Sequence, residues 1–253
     1  NATFEDILAL YEFDKNLRHL TFKYICTFES HMRQLVSYAF CKIHGENQAS
    51  YLNIASYNVT RKNQYQVQKL IKTLDYQANQ NKDRAYLIHQ RKTYKNVPLW
   101  VIMNTLTFGQ LSHFYAYLPY NIQTDISKSF PNINEHELGK YLETLTLFRN
   151  ACAHNERLYC YRLGNQDFPN KIIHAKLGIP QKGSQYIQGK KDLFGLVIAF
   201  RYLLSKQDFF QFKKELNRLI DTFCKNSSVI THNDLLSIMG FPANWNSITR
   251  YKL

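Results

Sequence analysis

The longest helical pattern in the chain, imperfect and open to one or more breaks, does most to limit its fold. From Thr3 to His44, Phe4, Leu8, Tyr11, Leu17, Tyr24, Phe28, Met32, Leu35, Ala39 and Ile43 recur at helical spacing. Thr3 followed by Asp6 has the form of an N-terminal cap, and Gly45 that of a stop. A long helical region is therefore expected over 3–44. No segment alternates for long enough to predict a strand, so the expected class is all-α.

Further helices are expected over 62–78, 83–93, 110–118 and 120–130, with Pro98, Pro119 and Pro131 as punctuation. Asn134, with Glu137 in the capping-box position, opens a central helix expected over 134–162. Helices return over 192–239. Between them, 164–191 holds Gly164, Gly178, Gly183 and Gly189 with Pro169 and Pro180. It reads as one long loop with room for a short hairpin. No repeat and no linker interrupts the 253 residues, which are expected to form a single domain.

Lys and Arg number 32 against 19 Asp and Glu, a formal charge of +13. That balance favours a polyanionic partner, nucleic acid before membrane. No apolar run approaches the roughly 18 residues that a membrane span needs. The five cysteines, Cys26, Cys41, Cys152, Cys160 and Cys224, form no CxxC pair and are odd in number. They read as reduced thiols of a cytoplasmic protein.

Chemistry concentrates in Tyr141–Leu163, where Arg149, Asn150, His154, Glu156 and Arg157 interrupt an apolar helix. Arg149 falls on the stripe of Leu138, Leu142, Leu145 and Cys152. A guanidinium there is costly unless it is paired or opens onto a cleft. Metal-ligand spacings, Walker and dinucleotide glycine patterns and a nucleophile elbow are absent from the sequence. Cys152 and His154 point about 200° apart on a helix, which rules out a thiolate–imidazole pair. Asn150 and His154 are one turn apart, so Asn150 is placed to orient the imidazole. Arginine and histidine suffice for metal-free RNA cleavage. Imidazole moves the proton of a ribose 2′-OH, and guanidinium stabilises charge on the phosphorane-like transition state. DNA has no 2′-OH and is not expected to be cut.

The motif region LFRNACAHNERLYCYRL resembles the Abi-like abortive-infection proteins of bacteria, the AbiD/AbiF group of the HEPN superfamily, whose hallmark is Arg-x(4–6)-His. Three other stretches share the resemblance: YEFDKNLR (Tyr11–Arg18), PLWVIMNTLTFGQLSHFY (Pro98–Tyr115) and MGFPANW (Met239–Trp245). Cys160 stands where the group's pattern has Asn. Members usually carry a further N-terminal segment, which is expected to be missing here.

The resemblance implies a HEPN-type helical bundle with accessory helices and one long basic loop. It also implies a homodimer that brings two motifs together through the motif face, and phage defence by a cytoplasmic endoribonuclease toxin. Products would be a 2′,3′-cyclic phosphate and a 5′-OH, with no metal and no cofactor. The partners it implies are an RNA substrate and a structured small noncoding RNA that restrains the toxin. Arg149 and His154 are the expected catalytic pair, supported by Asn150. Arg18, Arg33, Arg157, Lys171, Lys176, Lys182, Lys190 and Lys191 are candidate phosphate contacts. Asp14 and Glu29 are candidate acidic partners of Arg149, with Glu156 a further supporting acid. Two other readings stand beside this one: a non-catalytic RNA-binding module, and a purely structural Arg149 and His154.

Overall fold

The computed structural model describes residues 2–252, and among them the chain is all-α apart from a two-stranded ribbon. Helix α1 spans Phe4–His44. Thr3 and Asp6 cap its start reciprocally, and Gly45 closes it at φ 80°. Next come α2 (Gln48–Leu52), α3 (Gln64–Asp75), a π-helical turn (Tyr76–Gln80) and α4 (Ala85–Tyr94). Then follow α5 (Leu99–Ile102), α6 (Phe108–Ala116), α7 (Tyr120–Ser127) and α8 (Glu135–Ala153). After α8 the chain forms α9 (Ile172–Lys176), strands β1 (Gln181–Lys182) and β2 (Gln185–Tyr186), α10 (Leu193–Leu203), α11 (Lys206–Asn226) and α12 (His232–Met239). No helix among the described residues is long and apolar enough to cross a membrane.

The chain divides into two compact units. The first comprises Asn1–Phe28, Phe130–Asn132 and Lys140–Leu253; the second comprises Glu29–Ser129 and Ile133–Gly139. Both α1 and α8 contribute residues to each.

In the first unit, Phe13, Leu17, Leu20, Tyr24 and Phe28 of α1 are buried at successive helical turns. Tyr24 meets Phe212 of α11 edge-on at 5.3 Å, and Phe212 meets Phe200 of α10 at 4.9 Å. Helix α10 is buried along nearly its whole length. At its start, Asp192 accepts the backbone N–H of Gly195 and of Gly189, both at 3.0 Å. Gly240 ends α12 at φ 82° against that carboxylate, where an added Cβ would lie 2.6 Å from Asp192 Cβ. MGFPANW is thus a close-packed turn, with Phe241 and Trp245 buried behind it.

The window 164–191 contains the short hairpin its turn residues allow, and also a helix that they did not predict. It holds α9 and the β1–β2 hairpin, whose turn places Gly183 at φ 63°. Polar burial organises the rest. His174 is fully buried, with Nδ1 accepting the Lys171 N–H at 3.1 Å. That leaves Nε2–H to donate to the Gly189 carbonyl at 3.1 Å. Burial holds this imidazole below its ordinary range, and Lys190 adds to the effect. Turn residues alone could not reveal a core built on a histidine.

In the second unit, Met32, Val36, Ala39 and Phe40 continue the buried stripe of α1. Phe40, Tyr57 and Phe114 form an edge-to-face cluster. Arg33 closes the turn between α5 and α6. Its guanidinium pairs with Glu29 one turn earlier and donates to the carbonyls of Met103 (2.6 Å) and Leu106 (2.7 Å). Thr107 and Gln110 then form a full capping box at the start of α6. The TFGQLS stretch is that cap, and Gly109 lies inside the helix rather than before it.

Candidate functional site

Helix α8 starts as expected, with Asn134 and Glu137 exchanging cap hydrogen bonds. It stops at Ala153, well before the expected end at 162. The stop is a Schellman motif. Asn155 sits in the left-handed region at φ 57°, its N–H donates to the Cys152 carbonyl at 3.4 Å, and the Glu156 N–H donates to the Ala151 carbonyl at 3.0 Å. An Asn directly after the last helical residues was the available signal. His154 consequently lies at the helix C-cap, where it is exposed.

The segment leaving the motif is clamped by α1. Asp14 Oδ1 accepts the N–H of Leu158 and of Tyr159, both at 2.8 Å, while Oδ2 pairs with Arg18 one turn along. Arg18 also donates to the Glu156 carbonyl at 3.3 Å. Burial pushes the Asp14 carboxyl upward against the opposing pull of these N–H groups and of Arg18 and Arg157.

These contacts correct two expectations. Asp14 and Glu29 are not partners of Arg149, because they are held by Arg18 and Arg33. Arg18 and Arg33 in turn are not free for phosphate. Lys171 and Lys190 are also buried, the first donating to the Asn132 carbonyl, the second to the Phe168 carbonyl and paired with Asp167 at 3.3 Å. Lys191 is exposed but donates to the Gly164 carbonyl at 2.7 Å. Arg157, Lys176 and Lys182 stay exposed, as does Glu156.

Arg149 differs from Arg18 and Arg33, and resembles Arg201, whose Nε is likewise buried without a partner and whose guanidinium lies over Phe209 but donates to the Tyr251 carbonyl at 3.2 Å. Among the described residues no carboxylate pairs with Arg149, and its buried Nε has no hydrogen-bond partner. Its guanidinium lies over the Phe22 ring, 5.5 Å from the centroid. Phe22, on the same face of α1 as Arg18, was not anticipated from the sequence. Asn150 is exposed, and its backbone carbonyl accepts the His154 N–H at 2.9 Å. No hydrogen bond joins the Asn150 and His154 side chains among the described residues, so their link runs through the backbone. Cys152 is buried, and burial pushes its thiol up to about 12. Sulfur nucleophilicity is therefore suppressed at the motif. Among the described residues no three His, Cys, Asp or Glu side chains are placed to hold a metal ion.

A family model described as Abi-like protein matches residues 1–160, a span that takes in α1, its Asp14–Arg18 and Glu29–Arg33 pairs and the whole of the Arg149–His154 motif. The chain belongs to the Abi-like protein family. Comparison with curated proteins and with solved structures gave no match. Membership of the Abi-like family points to abortive infection, a form of phage defence. In this Abi-like chain the FD…LR stretch has a defined job, since its Asp14 and Arg18 hold the backbone that leaves the motif.

Proposed function

We infer that this Abi-like protein is a metal-independent endoribonuclease whose catalytic groups are Arg149 and His154. The observation that carries the reading is the unclaimed guanidinium. In a chain where Arg18 and Arg33 each have a carboxylate one turn away, Arg149 is half-buried with none. An arginine held so is short of an anion, and a scissile phosphate supplies one.

In the proposed reaction an imidazole takes the proton of the ribose 2′-OH, and that oxygen attacks the adjacent phosphorus. Arg149 stabilises the charge gathering on the non-bridging oxygens. The P–O5′ bond breaks, and the leaving oxygen receives a proton from imidazolium. The products are a 2′,3′-cyclic phosphate and a 5′-hydroxyl. About 140° separates positions 149 and 154 around an ideal helix, so one motif does not readily surround one phosphate. A homodimer joining two motifs would let one His154 act as base and the partner's His154 as acid. Asn150, with its amide exposed between them, is placed to meet the RNA. A structured noncoding RNA occupying this surface would restrain the toxin.

The test is cleavage of single-stranded RNA in EDTA. His154→Ala is expected to lose roughly 10²–10⁴ in rate. Arg149→Ala is expected to lose roughly 10²–10³. Unchanged cleavage by His154→Ala, or a strict need for a divalent ion, defeats the reading. RNA binding with an unaltered salt slope and no cleavage under any condition supports a non-catalytic binding module instead.

A further inference from the structure

The chain's excess charge is not gathered around the motif. Residues 61–95 contain nine Lys and Arg but only two acids, Asp75 and Asp83, a formal +7 of the total +13. All of this lies in the second unit. Among the described residues none of the nine enters an ion pair, and all but Arg91 are exposed. Surface charge ordinarily comes with neighbouring acids, and here those acids are missing.

The centre of this segment is concave. An open cleft of about 950 Å³ lies where the π-helical turn meets α4, lined by Tyr76, Asn79, Gln80, Lys82, Asp83 and Lys92 together with Ile88 and Arg91. Its floor is rigid for an identifiable reason. A π turn carries the Asn81 N–H back to the Tyr76 carbonyl at 2.9 Å. The Arg91 guanidinium reaches across to the freed carbonyls of Gln77 (3.2 Å) and Ala78 (3.0 Å), and to that of Asn81. Buried Asn81 accepts the N–H of Asp83 at 2.9 Å and of Arg84 at 3.2 Å, which fixes the start of α4. Arg91 is thus spent on building the cleft. Lys82 and Lys92 remain as cations at its edge, and Tyr76 offers a half-exposed ring.

We propose that this cleft binds single-stranded nucleic acid, with one base stacked on Tyr76 and the flanking phosphates on Lys82 and Lys92. The mixture of groups selects this ligand over a bare polyanion. Asp83 would weaken a pure phosphate site, but with the Gln80 amide it suits the donor and acceptor edge of an unpaired base. A stacking ring between cations is the arrangement single strands use. Tyr86, 40% exposed and accepting a hydrogen bond from Arg84 at 3.0 Å, is a second exposed ring in the same segment.

The inference does not rest on the cleavage mechanism, because it concerns other residues in the other unit. The experiment uses the full chain carrying His154→Ala, so that the probe stays intact. Binding of a fluorescein-labelled oligouridylate of about 20 nucleotides is followed by anisotropy across a salt series. Each lost phosphate contact is expected to lower the log–log salt slope by about 0.7 for a single strand. Lys82→Ala with Lys92→Ala should therefore lower it by about 1.4. Tyr76→Ala should weaken binding about fivefold or more, the equivalent of about 1 kcal/mol of lost stacking, while Tyr76→Phe keeps it. Thermal melts of the same variants show that the fold is retained. Two results overturn the proposal: affinity and slope of the lysine variant equal to the parent's, or equal affinity of Tyr76→Ala and Tyr76→Phe. Failure here with cleavage intact leaves the endoribonuclease reading standing, and the converse also holds.

Discussion

Asp14 is the residue whose removal should be felt furthest along the chain. Asp14→Ala deletes the acceptor of two backbone N–H groups, those of Leu158 and Tyr159, and the carboxylate paired with Arg18. Breaking one side of a buried ion pair costs about 3–5 kcal/mol, and each orphaned buried N–H about 1–3 kcal/mol. These figures overlap, because both count the same carboxylate, and Arg18 keeps the Glu156 carbonyl at 3.3 Å. The expected loss is therefore about 3–5 kcal/mol rather than their sum. At an m-value of about 3 kcal/mol/M, that moves the urea midpoint by roughly 1–2 M. Asp14→Asn retains an oxygen for the N–H groups and removes only a charge that burial disfavours, so it should be clearly less destabilising than Asp14→Ala. The sharpest assay is hydrogen exchange at the Leu158 and Tyr159 amides, which should lose protection in Asp14→Ala ahead of α10. If those amides stay protected and the midpoint moves by less than about 0.3 M, equivalent to about 1 kcal/mol at that m-value, the clamp is not what holds the motif exit.

Charge sign sharpens the same argument. Burial raises the Asp14 pKa in the folded chain above its unfolded value. The stability tied to this titration is then fully present below the unfolded pKa of about 3.9 and is lost as pH rises through the folded value. At neutral pH the ionised carboxylate is a net cost offset by its partners. Its role is to fix position, and an active-site assay should register its loss even under conditions where the chain remains folded.

Four further outcomes are expected. Gly240→Ala places a Cβ against Asp192 at a left-handed φ of 82° and should cost about 2–4 kcal/mol, read as a lowered Tm; a change below about 0.5 kcal/mol would mean the turn relaxes freely. His174 has a depressed folded pKa, so its contribution is present above the unfolded value near 6.5 and is lost as pH falls below it; the wild-type urea midpoint should drop between pH 7.5 and 5.5 more than that of His174→Gln. Glu29→Ala should destabilise the second unit by about 3–5 kcal/mol, with Glu29→Ala/Arg33→Met recovering part of the loss in a double-mutant cycle. Cys152, pushed up to about 12 and buried, should resist iodoacetamide at pH 8 while exposed Cys160 is alkylated, as read by peptide mass spectrometry.

The helical skeleton could be read from the sequence because its signals are local. Apolar spacing, the Thr3–Asp6 and Asn134–Glu137 caps and the Gly45 stop each depend on residues within one turn. The end of α8 was misplaced because Tyr159 and Leu163 continue the apolar pattern past a stop made by a single Asn155 backbone angle. The partners of Arg149 were misassigned for a different reason. Asp14 and Arg18, like Glu29 and Arg33, already stand at the i,i+4 spacing with the acid first, which favours pairing within α1. Reading each charge singly hid that arithmetic. The lysines of 164–191 looked like phosphate contacts because composition does not distinguish a solvated ammonium from one that is itself buried and donates to a backbone carbonyl, as in Lys171 and Lys190. Phe22 could not have been found from spacing, since its contact with Arg149 joins two distant helices of the first unit.

The Asp14–Arg18 and Glu29–Arg33 pairs of α1 repeat one device. In each, a carboxylate one turn before an arginine neutralises it, and the pair spends its remaining capacity on backbone. Asp14 and Arg18 take the N–H groups of Leu158 and Tyr159 and the carbonyl of Glu156, whereas Arg33 takes the carbonyls of Met103 and Leu106. Each clamp fixes irregular backbone that has no helical partner, next to a helix end, where orphaned polar groups would otherwise be buried. Arg91 does the same for the π turn without any carboxylate, since three carbonyls suffice to receive a guanidinium. Against that pattern Arg149 is the exception that matters. Among the described residues it pairs with neither carboxylate nor carbonyl and lies on a ring, and it stands on the helix whose C-cap presents His154 to solvent. If Arg149 were structural, Arg149→Met should be neutral or stabilising, because it removes an unsatisfied donor and keeps the packing on Phe22. A variant of unchanged or raised Tm that has lost all RNA cleavage would assign the arginine to substrate, and one that melts several degrees lower with cleavage intact would return it to the core.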